Sequence, residues 1–240
     1  MPYLSYPNSD AQRITFMRIS LSTAKNDAAA KPLLPDDLMM NLENVATAYN
    51  ATYDLLNSSL SHRQKEVREK NEAMSSLSIN VRDFFAVLKR RTYRKEHPTE
   101  IFRLYGILSD GELPKISREA DLLVAAEAIV FGDKKAVESG YPAMSNPSAS
   151  EVQEKLVAAR KEISEVAPAD RVYNEVQKDL EMQRGSVDEL IREISDTIQF
   201  VLRKHSVSNI RRIMRTYGFT YRYLKGEKQK AEVLKEKQEV

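Results

Sequence analysis

Arg211, Arg212, Arg215, Arg222 and Lys225 interleave with Tyr217, Phe219, Tyr221 and Tyr223 near the C-terminal end of the chain. Cations in this arrangement can contact phosphate groups, and aromatic rings between them can stack on unpaired bases. Arg211, Arg212, Arg215, Tyr217, Tyr221 and Arg222 are therefore the candidate contacts to nucleic acid or another anionic polymer. The same aromatics at 217, 219, 221 and 223 alternate, which suits a short extended strand packed on a head group. A charged tail following a docked C-terminal segment is the simpler account of the pattern and is weighed ahead of nucleic-acid binding. Charge is concentrated here: residues 203–230 hold nine Lys or Arg against Glu227 alone, a surplus of eight. With a net charge of +2 overall, the remainder sums to −6.

Other chemistry finds few residues to carry it. There is no Cys, which excludes disulfides, thiolate metal sites and cysteine nucleophiles. His62, His97 and His205 stand in neither a Glu-x-x-His nor a His-x-x-x-His arrangement, so di-iron and zincin sites lack their ligands. His62 sits in a polar stretch, His97 precedes Pro98 as a cap, and His205 ends a basic helix. The seven glycines are isolated, so no phosphate loop and no Gly-x-Ser-x-Gly elbow exists. Glu66, Glu69 and Glu72 interleave with Lys65, Arg68 and Lys70, as on the solvated face of a long helix. No catalytic, cofactor-binding or metal-ligating residue is assigned.

The elements that must position these residues are helical. An apolar stripe at alternating three- and four-residue steps runs from Met39 to Leu88, interrupted only by Arg63 and Lys70. A second runs from Val152 to His205, with polar positions at Asp170, Gln177, Arg184 and His205. A repeat of 3.5 residues held this long keeps one seam of a helix against a partner. The first helix is expected over 36–95, roughly 90 Å at 1.5 Å per residue, continuous through Asn57-Ser58-Ser59 because the seam keeps phase there. The second is expected over 148–205 as one kinked helix, opened by a Ser148–Glu151 capping box; Pro168 and Gly185-Ser186 could each break it, but the seam keeps phase across both.

A shorter helix opens at Ser9 and runs to about Ala28, before Lys31-Pro32-Leu33-Leu34-Pro35. Residues 97–147 form a head group. It holds a short helix ending at Gly106, a turn at Ser109-Asp110-Gly111, and an apolar helix from Ser117 to Phe131 that Gly132 ends.

Ile101–Ile107 and Ile213–Phe219 share four of seven residues, and Pro35 and Pro147 each precede their box by 66 residues. This suggests an internal duplication. The parts are then 1–34 (short helix and linker), 35–110 (first repeat), 111–146 (head helix), 147–225 (second repeat) and 226–240 (polar frayed tail). Two equivalent units pair about a pseudo-two-fold, making the long helices antiparallel and bringing Lys70 to Asp170 and Arg63 to Gln177.

The fold class is thus all-α: two long antiparallel coiled-coil-like helices with short helices clustered at the ends of a rod. The apolar fraction of 42% and charged fraction of 30% fit an ordered soluble chain. The N-terminus has neither a basic start nor an apolar core, and no run is apolar enough to span a bilayer, so a cytoplasmic protein without membrane association is expected. The leading function is a non-enzymatic structural or protein-interaction role. Self-association would bury Leu55, Phe85 and Val172. The alternative is nucleic-acid or other anionic-polymer binding through 203–230.

Overall fold

Asn57, Ser58 and Ser59 are poor helix formers, yet they lie inside a single helix. The Ser58 hydroxyl donates to the Leu55 carbonyl at 2.9 Å, and Ser59 is buried, so backbone and side chain are both satisfied without a turn. The computed structural model describes residues 2–27, 32–108, 111–114 and 116–223. In chain order these form β1 (Tyr3–Ser5), α1 (Asp10–Asp27), α2 (Asp36–Tyr93) and a 3-10 segment (Thr99–Tyr105). They are followed by α3 (Glu119–Glu138), α4 (Ala149–Val201), α5 (Val207–Thr216) and β2 (Thr220–Arg222). The protein is all-α apart from this strand pair. No described helix is long and apolar enough to cross a membrane.

The helix starts follow from their caps. The Gln12 amide donates to the Ser9 hydroxyl at 3.3 Å, while the Gln12 side chain accepts from the Asn8 amide at 3.0 Å. Ser148 and Glu151 cap α4 reciprocally, the Glu151 carboxylate accepting from the Ser148 amide at 2.7 Å. Neither Pro168 nor Gly185 breaks α4, which is one helix of 53 residues. Packing along the seam outweighs one missing backbone bond and one weak helix former.

Gly132 does not end α3. The helix continues to Glu138, because Gly132 faces the 3-10 segment: a Cβ there would lie 2.6 Å from the Leu104 carbonyl oxygen and 2.6 Å from the Tyr105 ring. The glycine is a contact point, not a stop. The chain turns later, at Gly140 with φ +86°. The expected Ser109-Asp110-Gly111 turn falls partly, and the 226–240 tail wholly, outside the described residues.

The chain packs as two compact units. The first comprises Met1–Ser58 with Asn174–Val240, and its core holds Phe16, Met17, Leu42, Tyr49, Leu180, Ile194, Ile198 and Met214. Here α2 and α4 run antiparallel: Leu33 lies by Val201 and Leu202, and the Gln183 side chain donates to Thr52 at 3.0 Å. The second comprises Ser59–Tyr173, with Leu77, Val81, Phe84, Phe85, Leu88, Ile129 and Leu156 in its core. Arg63 pairs with Asp170, and Arg91 donates to Ser145 at 3.2 Å, again antiparallel.

The register differs from expectation by one heptad. Asp170 meets Arg63 instead of Lys70, which pairs with Glu119 of α3 at 2.7 Å, and Gln177 bonds Glu181 on its own helix at 3.2 Å. A shift of seven residues leaves every apolar seam position facing apolar neighbours, so periodicity cannot choose between the two alignments. Phe85 is buried within the second unit and is not available to another chain, whereas Leu55 and Val172 are exposed.

Both units are finished by the same device. Tyr217 and Tyr105 are buried and donate their hydroxyls to carboxylates near the ends of α1 and α3, Tyr217 to Asp27 at 2.8 Å and Tyr105 to Asp133 at 3.0 Å. Gly218 (φ +92°) and Gly106 (φ +71°) follow in the left-handed region. The next amides then reach back, Phe219 to the Met214 carbonyl at 3.1 Å and Ile107 to the Phe102 carbonyl at 3.0 Å.

Candidate functional site

A basic surface in the first unit is built on α5 and β2. The α5 helix places Arg211 and Arg215 one turn apart, and its last carbonyls are capped from α1: Ser20 donates to the Tyr217 carbonyl at 2.6 Å and Thr23 to the Thr216 carbonyl at 2.7 Å. The chain then turns at Gly218 into β2, which pairs antiparallel with β1 in the register Tyr3–Arg222, Leu4–Tyr221, Ser5–Thr220. The strand thus packs on the N-terminal segment and the first unit's core instead of on the 97–147 head group.

The candidate contacts do not all reach the surface. Arg212, Arg215 and Arg222 are exposed, and Arg211 is half-buried. Arg212 donates to Asn209 at 2.9 Å, and the Arg215 guanidinium lies 5.6 Å from the centroid of the Tyr221 ring. Tyr221 is half-buried; burial raises its hydroxyl pKa, while the charges of Arg211 and Arg215 oppose that shift. Tyr217 is buried and its hydroxyl is committed to Asp27, so its ring is a core element and does not stack on a ligand. Two further cations, Arg203 and Lys204, are exposed beyond α4, Arg203 lying 4.1 Å from the exposed Phe200 ring.

What sequence reading missed is the partner strand. Tyr3 and Tyr6 are 48% and 42% exposed, and Tyr6 donates to Ser195 at 3.3 Å. The strand β1 covers only Tyr3–Ser5, and three residues are too few for an alternation to stand out.

A second cluster lies in the second unit, in a cleft of about 590 Å³ between α2 and α4. Carboxylate oxygens of Glu66, Glu162 and Glu165 lie within 4.8 Å of one another, Glu66 being buried. Such oxygens suit a hard divalent cation. The counter-charge is already supplied, however. Lys65 lies 3.4 Å from Glu66 and 3.2 Å from Glu69, and Lys161 lies 3.3 Å from Glu162 and 3.4 Å from Glu165. His62 Nε2 is 3.7 Å from Glu66. Of the remaining histidines, His97 is buried against Tyr141 instead of capping a helix, and the exposed His205 has its Nδ1 3.2 Å from the Asn209 side-chain amide.

No protein-family model, no curated protein and no solved structure matches this chain.

Proposed function

We propose that this protein acts by binding: a helical scaffold whose first unit presents a basic face to an anionic polymer. One observation carries the reading. Residues 203–223 contain six Lys or Arg and no Asp or Glu, and among the described residues none of the six forms an ion pair. Several cations elsewhere are matched: Arg13, Arg63, Lys65, Lys70, Arg160 and Arg184 each sit against a carboxylate, and what sets 203–223 apart is that its stretch holds no acidic residue at all. Uncompensated charge on an ordered surface favours a polyanion through release of its condensed counterions.

The scaffold reading includes an internal duplication, with α1, α2 and the Tyr105-Gly106 box corresponding to α3, α4 and the Tyr217-Gly218 box. The matching Tyr–Asp hydrogen bonds and left-handed glycines support it. Self-association is the second reading, favoured by the exposed Leu55 and Val172 on the long helices. Sedimentation equilibrium over a hundredfold concentration range tests that: a monomer throughout removes it.

The polyanion reading is tested by titrating labelled oligonucleotide at two salt concentrations. Salt-sensitive binding is expected, and joint replacement of Arg211, Arg212 and Arg215 by Gln lowers the salt slope by about 2–3 units. No binding at low salt overturns it.

A further inference from the structure

We propose that the outer face of the β1–β2 pair, with the groove beside it, seats unpaired nucleobases, so that the bound polyanion is single-stranded nucleic acid. This rests on the reading of the basic face as a polyanion surface. Residues directly opposed in an antiparallel pair project to the same side. Tyr3 and Arg222 therefore share one face with Ser5 and Thr220, while Leu4 and Tyr221 project to the other and pack on the core. The outer face carries a ring 48% exposed beside an exposed guanidinium with no ion pair among the described residues.

Against that face opens a groove of about 400 Å³, walled by Ser5, Thr220 and Arg222 on one side and by Gln12, Thr15 and Ile19 of α1 on the other. Gly218, in the left-handed region at φ +92°, supplies the turn that brings the strand beside α1. The groove's volume lies within the range of about 300–1,000 Å³ typical of ligand sites. Its chemistry is mixed in the way a base requires. Tyr6 and Ile19 offer apolar surface, Gln12 and Thr15 add polar groups to the lining, and the Arg222 guanidinium at the rim suits a phosphate.

Stacking on an exposed sheet ring needs a base whose face is free, which a duplex does not offer. A two-stranded ribbon can enter a duplex major groove when it projects. This one is three residues per strand, with its inner face packed on the core and α1 rising beside it. The surface is concave, and concavity receives an extruded base rather than inserting between phosphate ribbons.

Fluorescence anisotropy with a labelled 20-nucleotide oligothymidine, a duplex of equal length and heparin as competitor tests the assignment. The single strand is expected to bind about tenfold or more tightly than the duplex. Tyr3→Ser, which removes the ring, and Thr15→Trp, which fills the groove, should each weaken single-strand binding by about tenfold while leaving heparin binding unchanged. Hydrogen exchange on the unaltered protein gives an independent measure, with protection on adding oligothymidine confined to residues 3–19 and to the basic face with its strand, 203–222. Equal affinity for single strand, duplex and heparin, or protection elsewhere, overturns the base-seating assignment while the basic face stands. No binding of any of the three at low salt overturns both.

Discussion

At the scale of single residues, the first unit is tied by a polar hub on Asp10. Its carboxylate accepts from Arg184 at 2.7 and 2.9 Å, from the Tyr49 hydroxyl at 2.7 Å and from Arg13 at 3.3 Å. Arg13 in turn grips Asp188 with two bonds, at 2.8 and 2.9 Å. The Arg184 hydrogen bond holds the Asp10 pKa below its ordinary 3.8, with burial opposing. Because the folded form binds the proton less tightly, the stabilisation is complete above pH 3.8 and is lost as pH falls through the folded value. An Asp10→Asn variant is expected to be less stable at neutral pH and to show a shallower acid transition in a urea-unfolding series. Burial, reinforced by Arg91, lowers the His97 pKa from 6.5. The unfolded chain then takes up the proton first, so stability should decline as pH falls through 6.5, and His97→Phe should flatten that slope while keeping the contact with Tyr141. The box tyrosines give a third test. Tyr105→Phe removes one of the two hydrogen bonds that the buried Asp133 makes among the described residues, leaving the Met144 amide 3.2 Å away, and should cost about 1–3 kcal/mol in thermal unfolding. The left-handed glycines were legible from the Tyr-Gly pairs themselves. Their aspartate partners were not, since Asp27 lies 190 positions from Tyr217 and local pattern carries no such information.

At the scale of elements, continuity of the apolar seam was the reliable signal. It ran in phase through Asn57–Ser59, Pro168 and Gly185, and α2 and α4 are unbroken at all three. Punctuation residues were the unreliable one. Gly132 read as a stop because a lone glycine after an apolar run resembles a C-cap; only the 3-10 segment pressing on it explains its absence of a side chain. Two substitutions with opposite signs follow. Gly185 is exposed and an added Cβ meets nothing within 4 Å, so Gly185→Ala should stabilise by about 1 kcal/mol. Gly132→Ala drives a methyl into the Leu104 carbonyl and the Tyr105 ring and should destabilise by about 1–3 kcal/mol. Differential scanning calorimetry on the pair reads both.

At the scale of the whole molecule, fold class could be read from periodicity and helix direction from the repeated box, while register could not. The heptad slip that pairs Arg63 with Asp170 goes with Lys70 turning to Glu119 of α3, a tertiary contact that no local pattern displays. The strand pair that shapes the groove joins residues more than two hundred positions apart, and neither partner is long enough to announce itself. The grouping of the chain into units makes its own expectation. A Tyr217→Phe variant should lose amide protection in 1–58 and 174–223 and retain it in 59–173, by hydrogen exchange read peptide by peptide.

The middle unit is drawn from one uninterrupted stretch, 59–173, while the other is assembled from both flanks of it. On the ribosome, then, the interior stretch emerges whole and has every partner it needs as soon as Tyr173 clears the exit tunnel. The α1 helix has none of this advantage: Arg184, Asp188 and Tyr217 are still to be synthesised when it appears. Its apolar residues Phe16 and Met17 have only Leu38, Leu42 and Tyr49 of α2 for early company and wait some 160 further residues for their α4 partners, an interval in which a nascent chain is most in need of a holding chaperone.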